Sequence, residues 1–327
     1  MEPVNQEVIE EKLRGLFFPY AMSRLKQAQS NSKFRFAHYT SAETGMKILQ
    51  NREVWLRTSS IMNDFSEVHH GQDCLLNAWS NTDSCQKLKE ILKLLDPKAV
   101  DQFTSAFDEE QYSRTKQSYI VSLSEHGDQE LNEDEYGRLS MWRAYGGKTN
   151  IAFIFNSKPF FTDSTALNAY TSPVLYADKN QYAEHFKGVV DGLADHIDLL
   201  KDIGWQEVFK FLFAALRYSV LSTKHPGFSE EREWRVIYSP QFISSERIKE
   251  ENVTLDGIPQ KIYKIPLENL ESEGLFGIEI PELLDKIIIG PTEFPLELKA
   301  AFVEQLAASG VENPQSKVII SGIPLRR

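Results

Sequence analysis

Acidic and basic side chains alternate in the run Phe228-Ser229-Glu230-Glu231-Arg232-Glu233-Trp234-Arg235-Val236-Ile237, which is the most chemically pointed pattern in the chain. If the segment is extended, Glu231, Glu233 and Arg235 share one side, while Trp234, Val236 and Tyr238 share the other. Two like carboxylates on one strand face suit the binding of sugar hydroxyls and the stabilisation of an adjacent cation. A solvated edge face accounts for the same alternation. Three other groups carry usable chemistry. In Phe36-Ala37-His38-Tyr39-Thr40, His38 and Thr40 fall on one face at a strand's end, where both can meet a ligand; a core histidine bonded to backbone is the competing reading. Met62-Asn63-Asp64-Phe65-Ser66-Glu67 clusters oxygens suited to a hard metal or a ligand hydroxyl, but an Asx turn with Glu67 in the first turn of a helix is the favoured reading. Ser122 and Ser124 share a strand face in Ser122-Leu123-Ser124-Glu125. Trp142 and Tyr145, three apart on a helix, form either a flat platform for a heteroaromatic ring or plain core.

The elements that position these residues follow from periodicity. Glu7 to Gln29 has helical spacing, 34–39 and 54–58 read as strands, and Ser41 is placed to cap a short helix between them. Residues 66–116 are mostly helical, with a break at Asp96-Pro97. Strands are predicted at 118–124, 151–155, 233–238, 262–265, 286–289 and 318–321, with helices over about 137–145, 182–223 and 296–308. Strands scattered between helical blocks predict an α+β fold with a mixed, mostly antiparallel sheet. With no Pro/Gly/Ser linker and no internal repeat, the chain reads as an N-terminal helical extension over 1–33 followed by one α+β domain over 34–327, with helical inserts at about 66–116 and 180–223.

Composition narrows the partners. The 327 residues carry 36 Lys+Arg against 47 Asp+Glu, a net charge of −11, so the overall field repels phosphate backbones and anionic lipid. A nucleic-acid partner therefore needs a local basic patch; Arg14, Arg24, Lys26, Arg35, Arg52 and Arg57 make the N-terminal part the most basic stretch. Met1 to Glu11 lacks the cationic start and apolar stretch of a signal peptide, so a cytoplasmic location without membrane partners is expected. The 2 cysteines, Cys74 and Cys85, read as buried reduced thiols, with no zinc-site spacing.

The ordered series His38-Tyr39-Thr40, Asn63-Asp64 with Glu67, Ser122-Leu123-Ser124-Glu125, Met141-Trp142 with Tyr145-Gly146, Glu231-Arg232-Glu233-Trp234-Arg235, Ile289-Gly290-Pro291 and Ser321-Gly322-Ile323-Pro324-Leu325-Arg326 resembles a bacterial family catalogued as domain of unknown function 2971. A strand ending in His-x-Thr, a later Ser-x-Ser strand and a still later Glu-x-Glu strand are also similar to the layout of the ADP-ribosyltransferase superfamily. That similarity implies a split sheet gripping NAD as substrate, with no metal. It implies that His38, Tyr39 and Thr40 hold NAD, with His38 also in the catalytic set, and that Tyr119 or Trp142 stacks on nicotinamide; Tyr136 and Tyr145 are further candidates for an aromatic role. Ser122 and Ser124 would brace the site, Glu233 would carry catalysis, Glu231 would orient the acceptor, and Arg143 and Arg235 would offset the anionic charge of NAD. Nicotinamide leaves as a neutral molecule, so one carboxylate that stabilises an oxocarbenium-like transition state suffices, unlike the acid and partner carboxylate of ordinary glycoside hydrolysis. The expected activity is ADP-ribosyl transfer to RNA, DNA or protein, in a toxin or phage-defence effector with an antitoxin or other regulatory partner. Two alternatives are a metal-dependent phosphodiesterase or nuclease gathering Asp64, Glu67, Glu231 and Glu233 around Mg²⁺, and a non-enzymatic interaction module.

Overall fold

The computed structural model describes residues 3–58, 65–80, 82–111, 118–128, 130–145, 147–255 and 257–324. The chain gathers into two compact units, one of Met1–Gln27, Ser59–Ser118 and Ser172–Ser229, the other of Ala28–Thr58, Tyr119–Thr171 and Glu230–Arg327. Most of the N-terminal extension and both helical inserts fall in the first unit, and the strand-bearing segments that flank them fall in the second.

The first unit is helical because its apolar stripes bury one another. Leu13 and Phe17 of the helix Pro3–Phe17 share a core with Leu75, Leu88, Phe103, Tyr182 and Leu212, which come from later helices. Breaks in the predicted helices have local causes. Pro19 opens a new helix after Phe17, since it has no N–H to continue the first. The long stretch expected over 182–223 is three helices, Lys179–Asp195, Ile197–Ile203 and Trp205–Leu221, with Gly204 in the left-handed region at φ 90°. Asp178 starts the first of these with a reciprocal capping box to Gln181. Cys74 and Cys85 are buried free thiols, and burial pushes the Cys74 thiol up to about 11. Two short strands, β6 (Leu175–Tyr176) and β7 (Thr223–Lys224), pair in parallel in this unit. Among the described residues no helix is long and apolar enough to cross a membrane.

The second unit is built on a sheet of ten strands among the described residues. They are β1 (Arg35–Ser41), β2 (Glu53–Thr58), β3 (Tyr119–His126), β4 (Asn150–Asn156), β5 (Ala169–Pro173), β8 (Glu233–Tyr238), β9 (Lys249–Leu255), β10 (Ile258–Pro266), β11 (Leu284–Ile289) and β12 (Val318–Ile320). The order is β12-β11-β4-β1-β3-β2-β10-β9, with β8 pairing β3 and β5. β11 and β12 run parallel, whereas β1, β2, β3, β4, β8, β9 and β10 join antiparallel neighbours, so the fold is α+β with a mixed, mostly antiparallel sheet. Ser41 caps the helix Ala42–Asn51 by accepting from the Thr44 N–H, as its position predicts.

The sheet splits at β3. Tyr119 and Ile120 pair with β8 and also with Thr58 and Arg57 of β2, while Ser124 pairs with Glu233 of β8 and also with Ala37 of β1. A strand has two edges, so β8 takes one, and β1 and β2 share the other at its opposite ends. Val121, Ser122 and Leu123 face the gap between them.

Candidate active site

Antiparallel register decides which side chains share a face, because directly opposite residues point the same way. Ser122 stands opposite Arg235 and Ser124 opposite Glu233, so β3 and β8 place all four on one face. Glu233 and Arg235 are only 6% and 3% exposed, and β8 is buried along its whole length. The solvated-edge explanation of their alternation therefore fails for these two residues. Burying charges demands partners. Arg235 donates from Nε to Glu233 Oε1 at 2.7 Å and from Nη2 to Oε2 at 3.2 Å, and the Ser122 hydroxyl donates to Oε1 at 2.5 Å.

Ser122 faces His38 with its other polar atom. The Ser122 carbonyl accepts from His38 Nδ1 at 3.1 Å across the gap in the sheet. A carbonyl only accepts, so Nδ1 carries the proton. Burial holds the imidazole pKa below its ordinary value of 6.5, with the bond to Ser122 acting in the opposite direction. Ser122 thus ties His38 and Glu233 together, one through its backbone and the other through its side chain.

A second buried network fixes the turn that leads into β8. Arg138, 8% exposed, donates to Glu133 Oε1 from Nε at 2.9 Å and from Nη2 at 2.8 Å. Its Nη1 donates to the Ser124 hydroxyl at 2.6 Å and to the carbonyls of Glu230 and Glu231 at 3.0 Å each, and Nη2 donates to the Glu125 carbonyl at 2.8 Å. Glu133, fully buried, also accepts from the N–H groups of Gly127 and Asp128. Ser124 donates to the Glu231 carbonyl, and Arg232, at a left-handed φ of 44°, pairs with Asp128 at 2.8 Å. Neither Arg138 nor Glu133 stood out in the sequence. They are positioning residues, since the guanidinium holds backbone on both sides of Glu231.

Other candidate residues lie elsewhere. Tyr39 is on the face of β1 opposite to His38 and Thr40; its hydroxyl accepts from the Arg138 N–H at 2.9 Å, and burial raises its pKa to about 12. Thr40 pairs with Ile151 of β4 and is half-buried. Both rings expected to stack on nicotinamide sit in packed core. Trp142 is 2% exposed, donates to the Tyr136 carbonyl, and meets Tyr39 edge-on at 4.7 Å between centroids. A Cβ at Gly137 or Gly290 would lie 2.5 or 2.7 Å from the Trp142 ring, so the Ile289-Gly290-Pro291 motif serves packing there. Tyr119 is 7% exposed against Tyr263, at 4.4 Å, on the face opposite to Ser122. Arg143 is exposed, and Tyr136 is 43% exposed. Tyr145 donates to Glu231 Oε1 at 3.2 Å. Asn63, Asp64, Gly146, Leu325, Arg326 and the side chain of Glu67 lie outside the described residues. Among the described residues no group of three or more His, Cys, Asp or Glu is placed to hold a metal ion.

No curated protein and no solved structure matches the chain. Residues 141–236, which run from Met141 of the helix Leu139–Tyr145 to Val236 in β8 and include Glu231, Glu233 and Arg235, match the family described as Protein of unknown function (DUF2971).

Proposed function

We propose that the chain is an NAD-dependent ADP-ribosyltransferase-like enzyme in which Glu233 is the catalytic carboxylate. The observation that carries this reading is the convergence of His38, Ser122 and Glu233 at the split in the sheet: His38 on the Ser122 carbonyl, Glu233 on the Ser122 hydroxyl. A buried carboxylate held by the Ser122 hydroxyl and the Arg235 guanidinium is oriented before any ligand arrives, and preorganisation of that kind is usually the largest single contribution to catalysis. The bond to Arg235 also offsets the negative charge of Glu233, which would otherwise repel an anionic dinucleotide.

NAD brings a bond already activated by the positive charge of its nicotinamide ring. Glu233 accepts a hydrogen bond from the adjoining ribose and stabilises positive charge as it develops there. His38 keeps the Ser122 backbone in place with a proton on Nδ1, and Ser122 and Arg235 hold the carboxylate against rotation. Glu231, on the turn fixed by Arg138, faces the acceptor, which is RNA, DNA or protein. The packed rings of Trp142 and Tyr119 have no part in this version of the site. A toxin or phage-defence setting with a regulatory partner goes with the reading.

The test is nicotinamide release from NAD by the purified chain, offered RNA, DNA and protein acceptors. Glu233→Gln, with an unchanged circular dichroism spectrum, is expected to lower the rate by about 10²- to 10³-fold. Failure of the wild-type chain to bind NAD in calorimetry overturns the reading. So does Mg²⁺-dependent cleavage of RNA or DNA without nicotinamide release.

A further inference from the structure

The sheet face that carries Glu233 continues across β3 to polar groups that the acidic motif does not use. Arg57, near the end of β2, stands opposite Ile120 of β3 and opposite Ile262 of β10. It therefore shares a face with Ile120, Ser122, Ser124, Glu233 and Arg235. Gln260, two residues from Ile262 along β10, points to the same side, and its Oε1 accepts from Arg57 Nε at 3.2 Å. That bond leaves the other end of the amide unused: Gln260 is 5% exposed, and its Nε2 has no hydrogen-bond partner. Burying an amide N–H without an acceptor is unfavourable, and a bound acceptor relieves the cost. Arg57 is half-buried, and among the described residues its only hydrogen bond or ion pair is the one to Gln260.

The nearby acids are already matched. Glu53 and Glu251 both pair with Lys264, at 2.8 and 2.6 Å. What Arg57 and Gln260 offer is therefore donors alone: the terminal nitrogens of a planar guanidinium and an amide NH₂. A donor-only pair built on a guanidinium fork matches phosphoryl oxygens.

We infer that Arg57 and Gln260 form a phosphoryl subsite that takes the diphosphate of the nucleotide ligand. The inference rests on the NAD reading of the Glu233 site and extends it to the far side of β3. Strand spacing puts Arg57 and Glu233 roughly 10 Å apart across the sheet, and the four-residue offset on β3 adds roughly 13 Å along it. These are dimensions for two ends of one extended ligand, with the reacting ribose at Glu233 and the phosphates toward Arg57.

Calorimetry with ADP-ribose and with nicotinamide riboside, which lacks the diphosphate, tests the assignment on the full chain. Arg57→Ala is expected to weaken ADP-ribose binding by about tenfold or more, and Gln260→Leu by a smaller factor, while nicotinamide riboside binds both variants as it binds the wild type. Arg57→Lys keeps the charge without the fork and is expected to fall between wild type and Arg57→Ala, which covers the case of an alanine variant that does not fold. Wild-type affinity for ADP-ribose in folded Arg57 and Gln260 variants overturns the subsite, as does absence of ADP-ribose binding by the wild type. The enzyme reading fails separately: ADP-ribose binding that depends on Arg57, with no nicotinamide release under any condition, removes the transferase and leaves the phosphoryl subsite standing.

Discussion

β8 shows two solutions to burial on one strand. Trp234 belongs to the face where Phe36 meets it at 5.5 Å and where Phe160 and Phe161 pack, a layer of rings held by shape and area with one directional bond, from the Trp234 indole N–H to Glu125 Oε1 at 2.7 Å. Glu233 and Arg235, its immediate neighbours, are buried to nearly the same degree but stand only because each finds a partner. Apart from that bond, the ring face tolerates imprecision, since apolar contact is non-directional. The polar face does not, because a carboxylate that loses its guanidinium is left as an uncompensated charge. A fold that needed stability alone could fill both sides with apolar residues, so the polar side is where a function is to be sought.

The largest expected effects break each face in turn. Arg138→Ala removes the closest cation from Glu133, which is fully buried and keeps Arg232 Nη1 at 3.7 Å, and is expected to cost about 3 kcal/mol in a denaturant titration. Trp234→Ala opens a cavity among the rings and is expected to cost a similar amount, about 3–5 kcal/mol. The two separate in what else they do. If the polar face is the working one, the Arg138 variant also slows nicotinamide release under conditions where it remains folded, because the turn carrying Glu231 loosens. Equal activity per folded molecule in both variants would show that the network has no positioning role. A loss below about 1 kcal/mol for Arg138→Ala would remove the buried pair from the account of stability.

A gentler cut is Tyr39→Phe. The ring and its contact with Trp142 stay, but the Arg138 N–H loses its acceptor. The expected loss is about 1–3 kcal/mol, the cost of an unsatisfied buried donor, and no measurable change would mean that water replaces the hydroxyl.

How much of this was legible depended on whether the cause was local. Alternation in 233–238 set the strand and its two faces, and β8 has those bounds. Ser41 as a helix cap was equally local. β9, Lys-Glu-Glu-Asn-Val-Thr-Leu, escaped because a solvated edge strand has no apolar face to reveal it. Which strand lies beside which was not legible, since the pairing of Ser122 with Arg235 joins residues far apart in the chain. Trp142 read equally as platform or core; two close glycines decide it, one from the loop before its helix and one from beyond β11. Arg138 gave no signal, because one arginine at a helix start carries no pattern, and its role exists only once the turn at Glu230–Arg232 is folded against β3.

The smallest effect probes the place where the two faces meet. By strand alternation His38 belongs to the ring side, yet at the split its imidazole reaches the carbonyl of Ser122, whose side chain is on the other. Burial lowers its pKa in the folded state from 6.5, so below that pH the unfolded chain binds the proton more readily. The stabilising contribution is therefore complete above about pH 6.5 and is lost as pH falls through the window below it, by at most about 1.4 kcal/mol per pH unit. His126 and His185, also lowered by burial, add to the same window, whereas Asp128 and Asp134, held down by Arg232 and Lys286, act only below 3.8. His38→Asn isolates the one residue, because its amide can donate to the Ser122 carbonyl from the place of Nδ1 without titrating. The variant is expected to show a shallower fall in stability between about pH 5 and pH 6.5 than the wild type. Identical slopes would mean that the imidazole titrates as it does in water, and then the gap beside Ser122 is wet and the two faces are joined there by solvent.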